Sequence, residues 1–256
     1  MPNYELNESG QPIGILIENW ITPKFPEKTV IDGKFCKLEP LNSVIHSKEL
    51  FEANSLDIKG ECWTYLPYGP FNTLLEYQNW VIEMQNLKDP AFYAIIDKIS
   101  SKPIGVISFL RIDQEKGSIE VGHLNFSNLL KKTKIATEAL YLMMNYAFEL
   151  GFRRYEWKCN SLNIPSRIAA QRYGFSYEGA FRQHAINKGR NRDTAWYSII
   201  DSEWKSIKEA FEKYFKNNNF DESGNQKVSL SSLTKPLLAQ KDNFILNKQK
   251  SSPNTR

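Results

Sequence analysis

A mixed α/β fold, with helices on both faces of one largely antiparallel sheet, is what this sequence predicts. Three observations carry that expectation. Helical and strand-like patterns alternate along the chain. Two hairpins are legible in succession between Ala91 and Glu120. From Ser118 to Phe181 the order strand, turn, helix, strand is repeated within a span that suits a right-handed βαβ unit, so its two strands should run parallel.

That unit is best defined by its caps. Ser118 to Phe126 has the apolar content of a buried strand, through Ile119, Val121 and the Leu124–Phe126 run. A polar turn follows over Ser127 to Lys132. Thr133 is a suitable N-cap for a helix in which Ile135, Ala136, Ala139, Leu140, Met143, Tyr146, Ala147 and Leu150 recur at helical spacing, and Gly151 suits its end. Arg154 to Cys159 is the second strand. Asn163 then caps another helix, with Pro165 in its first turn and Gly174 as terminator, before a strand from Phe175. The turn ahead of Thr133 offers unpaired N–H groups and the positive end of a helix dipole, flanked by Lys131, Lys132 and Lys134, which makes it a candidate anion cradle.

Upstream, residues 1–30 are extended and interrupted by prolines, and read as an N-terminal arm with a strand near Ile13 to Ile17. Lys34 to Leu41 alternates as a first core strand. Asn42 or Ser43 caps a helix to about Leu56, and Asn72 or Thr73 caps one through Trp80 and Met84. Between them lies an aromatic segment, Gly60 to Phe71, which either covers the core or walls a binding site. Ala91–Asp97 and Ile104–Ile112 are strands joined at Lys98–Pro103, and Asp113–Gly117 turns into the Glu120 strand. Downstream, Phe175–Lys188 and Thr194–Ile200 form a hairpin, with Gly179 as a bulge, and a last helix ends near Phe215.

The domain is therefore expected over residues 31–215, with 216–256 as a polar, basic, disordered tail. Within 256 residues the net charge is +4. Residues 216–256 hold seven Lys or Arg against three Asp or Glu, so the tail accounts for that excess and the remainder balances. The domain is thus not a general nucleic-acid binder by charge. No apolar run reaches membrane-spanning length, and Met1 to Glu5 lack the basic and apolar regions expected of a signal peptide. Cys36, Cys62 and Cys159 match neither a zinc pattern nor an even disulfide set, which favours a reducing, cytoplasmic setting.

Glu120 to Phe126, the turn and helix from Lys131 to Ala139, and Asn163-x-x-Ser166 followed by Tyr173-Gly174-Phe175 together resemble the core of the GNAT N-acetyltransferases. The branch that includes the ribosomal-protein N-terminal acetyltransferases is the most similar, and the resemblance covers about Lys34 to Trp204. It implies a GNAT-like acyl-CoA N-acyltransferase fold with splayed parallel strands, an acetyl-CoA co-substrate and no metal. Transfer would occur by direct attack of a primary amine, on a small molecule or a peptide N-terminus. In that family a Gln/Arg-x-x-Gly-x-Gly/Ala turn holds the CoA pyrophosphate through backbone amides. Here it reads Lys131-Lys132-Thr133-Lys134-Ile135-Ala136, so Ala136 fits and Lys134 replaces the middle glycine.

Glu120 is the candidate general base, since a carboxyl on an apolar strand has its pKa raised; the bland reading is a carboxylate paired with a neighbouring cation. His123, three residues on, falls on the opposite strand face unless a bulge intervenes, and reads as structural. By resemblance, a backbone N–H at Leu124 or Asn125 meets the thioester carbonyl, and Phe126, Thr137, Asn163 and Tyr173 join the turn in holding the cofactor. Ser166 is the candidate acid, because the place where many members keep a tyrosine, four residues before the glycine, is Ala170. Trp63, Tyr65 and Arg190 are expected to face the acceptor. A non-catalytic acyl-CoA-binding module stays open as the alternative, as does an RNA-associated role for the arginine cluster and tail. A homodimer also stays open.

Overall fold

The computed structural model describes residues 4–222 and 224–244. A hairpin of β1 (Tyr4–Leu6) and β2 (Pro12–Gly14) opens the chain. β3 (Ile31–Asp32), β4 (Cys36–Pro40), α1 (Ser43–Ser55), α2 (Leu74–Gln85), β5 (Ala91–Asp97), β6 (Pro103–Asp113) and β7 (Ser118–Phe126) follow. Then come α3 (Lys134–Glu149), β8 (Arg154–Asn160), α4 (Ile164–Arg172), β9 (Ser176–Asn187), β10 (Arg190–Ile200), α5 (Asp201–Phe215) and a short α6 (Leu230–Thr234). Eight strands form one sheet in the order β3-β4-β5-β6-β7-β8-β10-β9. Every neighbouring pair is antiparallel except β7 and β8, which α3 joins as a parallel crossover.

Strand alternation divides the core between two layers. On β5, Ala91, Tyr93 and Ile95 pack toward α3 and α5, while Phe92, Ala94 and Ile96 pack toward α1 and α2. The helices begin where the caps place them. Asn42 Oδ1 accepts from Val44 N, Thr73 Oγ1 from Glu76 N, Thr133 Oγ1 from Ala136 N and Asn163 Oδ1 from Ser166 N. Gly151 and Gly174 both take φ of +94°, which turns the chain out of α3 and α4. One buried contact escaped the periodicity: the Glu138 carboxylate on α3 accepts three bonds of 2.6–2.8 Å from the N–H groups of Lys34, Phe35 and Cys36.

The expectation of a disordered tail is corrected over much of its length. Leu230 and Thr234 are fully buried, Ala239 N donates to Ser176 Oγ, and Tyr177 N donates to Gln240 O. Asp242 is fully buried against Arg167, with contacts of 2.7 Å to Nε and Nη2 and a short one from the Tyr197 hydroxyl. This segment docks by a few apolar side chains, Leu230 in the core with Phe220, Leu233 and Leu237 packed against it, and by single polar anchors, a pattern too short and sparse to announce itself as a periodic element. Residues 245–256, including Ile245 and Leu246, lie outside the described residues.

Candidate active site

The site is created by strands that part. β7 and β8 pair from Ser118 opposite Arg154 only as far as Val121 opposite Trp157, although β7 continues to Phe126 and β8 to Asn160. Beyond Val121 a bulge in β7 sets His123 and Leu124 against Ile107 of β6, and His123 takes φ of +52°. The parting opens a cleft of two joined cavities, about 740 and 880 Å3. Cys62, Leu124, Lys131, Trp157, Asn163 and Ser166 line both.

The larger cavity lies over the start of α3. Lys131, Lys132, Thr133, Lys134, Ala136, Thr137, Phe126 and Tyr173 line it. Ala136 N is occupied by the Thr133 cap, whereas the N–H groups of Lys132, Lys134 and Ile135 keep no partner among the described residues. Free amides, three lysines and a helix N-terminus suit a diphosphate. The Ile135 side chain packs into the core, so only its amide can serve. Lys134, at the position of the missing glycine, lays its Nζ 3.6 Å from the Phe220 ring centroid, which draws the side chain onto the C-terminal segment. Phe220, Gly224, Asn225 and Gln226 thereby become part of the cavity wall, a contribution the composition did not reveal.

The smaller cavity holds Glu120, His123, Tyr65, Arg111, Lys158 and Arg192. Glu120 is 3% exposed. Its Oε2 receives Arg111 Nη1 at 2.8 Å and Lys158 Nζ at 3.0 Å, and Lys158 continues to Glu156 at 2.6 Å. Its Oε1 keeps no partner among the described residues. Burial raises the Glu120 pKa, while Lys158 and Arg111 pull the other way without cancelling it. Both readings of this residue therefore meet in one carboxylate, with one oxygen ion-paired and the other open. An added Cβ at Gly122 would come 3.7 Å from Oε1 and 2.8 Å from Leu110, so glycine keeps that approach clear.

The β7 bulge puts His123 on the same cavity as Glu120, against the simple alternation expected for the strand. His123 stacks on Tyr68, whose hydroxyl is 3.2 Å from Nδ1, and burial pushes its pKa down to about 4. An unfolded histidine titrates near 6.5, so below that pH the unfolded chain binds the proton and the folded one does not. Stability should therefore fall as pH drops from about 6.5 to 4, with about 3 kcal/mol of the loss belonging to His123. Buried His46, also lowered, adds to the slope. Urea unfolding across this range should give a flatter profile for His123→Asn; an unchanged slope would contradict the assignment.

Ser166 stands where the two cavities meet, and its Oγ accepts from Trp157 Nε1 at 3.1 Å, leaving its own proton to donate. Asn163 caps α4 while lining both cavities. Asn125 is placed differently from Leu124: its side chain is buried away from the cleft, with Nδ2 3.6 Å from Cys62 Sγ. Three acceptor-side expectations resolve unequally. Tyr65 lines the smaller cavity, and its hydroxyl reaches Leu162 O at 3.2 Å. Trp63 does not; it is 4% exposed and packs edge-on against Phe71, so the aromatic segment chiefly covers the core there. Arg190 is exposed at the hairpin end, and Arg192, two residues deeper along β10, is the one of the two that lines the cavity. Cys62 and Cys159, on the same walls, are pushed up by burial to about 12 and about 11, which keeps both thiols protonated.

Residues 38–176 match the acetyltransferase (GNAT) domain. The chain belongs to the GNAT acetyltransferase family. A GCN5-related N-acetyltransferase from Brucella melitensis is 43% identical, with a TM-score of 0.83 over 85% of this chain and 99% of that one. The uncharacterized N-acetyltransferase p20 of Bacillus licheniformis is 27% identical over 163 residues, 60% of this chain and 91% of p20. The Salmonella typhimurium acetyltransferase that modifies the N-terminal serine of ribosomal protein L7/L12 shares the fold, at 21% identity and a TM-score of 0.58 over 67% of this chain and 99% of that one. This GNAT chain is accordingly an acetyl-CoA-dependent N-acetyltransferase, and the family takes acetyl-CoA as co-substrate. Among the described residues no helix is long and apolar enough to cross a membrane.

Proposed function

We propose that the enzyme acetylates a primary amine, on a small molecule or a peptide N-terminus, by direct attack within a ternary complex. The observation that carries this reading is the open Oε1 of Glu120 in a cavity continuous with the one at the start of α3. Acetyl-CoA supplies the thioester. Lys131, Lys132, Lys134 and the free amides of the α3 turn would hold its diphosphate, and Asn163, Thr137, Phe126 and Tyr173 its arm. Backbone at the Leu124 bulge would face the thioester carbonyl. Glu120 Oε1 takes the amine proton, directly or through water, and its raised pKa suits that task. Ser166 Oγ offers its proton at the junction, where the thiolate departs. Protonated thiols at Cys62 and Cys159 disfavour an acyl-enzyme.

Holding both reactants in one cleft supplies much of the rate. Acetyl-CoA should raise the Tm, and a panel of primary amines should then release CoA. Stabilisation without any amine-dependent release would favour the acyl-CoA-binding alternative instead. Ser166→Ala should slow turnover about a hundredfold while leaving the acetyl-CoA Tm shift in place; full turnover in that variant would discard Ser166 as the acid.

A further inference from the structure

Resting on the transferase reading, a second feature of the smaller cavity bears on which amines it takes. Arg111 and Lys158 are neutralised by Glu120 and Glu156. Arg192 is not: among the described residues it forms no ion pair, and its one hydrogen bond runs from Nε to Thr194 Oγ1 at 3.1 Å. The terminal guanidinium nitrogens are left without a partner on the wall of the cavity that holds the open oxygen of Glu120. Arg192 lies in the field of both Glu120 and Arg111, and burial pushes its pKa down. A half-buried guanidinium costs desolvation unless something pairs with it.

Cofactor phosphates are not that partner. Arg192 lines the smaller cavity and not the larger one, where the lysines and free amides of the α3 turn gather. The acids nearest to it on β9 and β10 are taken. Asp193, next in sequence, accepts from Gln183 N and Asn191 Nδ2, and Glu178 is taken by Arg154 and Ser198. Glu61, also on the cavity wall, is exposed at the start of the turn Glu61–Trp63 and forms no ion pair with Arg192 or another cation among the described residues. The fork geometry of a free guanidinium matches a planar, bidentate anion.

We infer that the acceptor is an amine that carries a carboxylate in the same molecule, with Arg192 gripping the carboxylate while Glu120 Oε1 faces the amine. The carboxylate can come from the α-carboxyl of a free amino acid or from an acidic first side chain of a peptide. Two matched acceptor pairs separate these sources: alanine against alaninamide, and the capped tripeptide amide Asp-Ala-Ala against Asn-Ala-Ala. The wild-type enzyme should prefer the acid in one pair by about tenfold to a hundredfold in kcat/KM, the range of a charge-assisted hydrogen bond. Arg192→Gln should bring that ratio to within about threefold by loss on the acid member alone, since one partner of the contact is gone. Arg192→Lys, which keeps charge without the fork, should retain an intermediate ratio. Throughout, the Tm shift with acetyl-CoA should hold, which reports a folded enzyme with an intact cofactor cavity. Equal rates within both pairs, or a preference that survives Arg192→Gln, would overturn the inference while the transferase reading stands. Failure to acetylate any amine would sink both.

Discussion

Replacing Glu120 with glutamine should lower kcat by about 10²–10⁴-fold, the usual worth of a positioned proton acceptor. Glutamine keeps the shape and still offers an oxygen to Arg111 and Lys158, so the network that includes Glu156 should survive. Acetyl-CoA binding, seated mainly at the α3 turn, should be unchanged in a thermal-shift titration. The pH profile gives a second reading. Wild-type kcat/KM should rise with pH as Glu120 loses its proton, with the midpoint above the ordinary carboxyl value of 4.5 because burial raises it. That acid limb should vanish from the residual activity of Glu120→Gln. Turnover at the wild-type rate would reduce Glu120 to the ion-paired half of its description.

The largest loss of stability is expected at Asp242, which lines neither cavity. Asp242→Ala strands the Arg167 guanidinium, 3% exposed, with no counter-charge and leaves the Tyr197 hydroxyl short of its acceptor. Breaking a buried pair by removing one partner costs about 3–5 kcal/mol. For a domain of this size that is a fall in Tm of roughly 6–20 °C. Replacing both partners, as Arg167→Met with Asp242→Leu, should recover much of the loss, because no charge is then buried alone. Scanning calorimetry on the three variants checks the order. A single variant as stable as wild type would show that the C-terminal segment is not anchored there.

How far the sequence foretold this site varied with the kind of force involved. Caps and terminators act locally, so Thr133, Asn163, Gly151 and Gly174 were legible one residue at a time, and Asn42 and Thr73 to within a pair of neighbours. The parallel pair followed from the spacing of its elements. His123 was not legible, because a single bulged residue reverses the face of every side chain beyond it. Arg190 and Arg192 share one strand and one chemistry. Depth along β10, at about 3.3 Å per residue, separates the exposed one from the one on the cavity. Trp63 and Tyr65 lie in one aromatic run, and only the tertiary course of that loop turns one ring inward to Phe71 and the other to the cleft. The C-terminal segment was hidden for a different reason. Asn219, Thr234 and Asp242 anchor it by one or a few specific bonds each beside the scattered apolar contacts of Phe220, Leu230, Leu233 and Leu237, and anchors so spaced look like any other surface composition.

A crystal structure of the enzyme with CoA bound tests the shared picture most directly. The diphosphate should rest on the amides of Lys132, Lys134 and Ile135, with the thiol between the parted ends of β7 and β8, in reach of Ser166 Oγ. A CoA molecule bound elsewhere, or a cleft closed by β7 pairing with β8 beyond Val121, would contradict it.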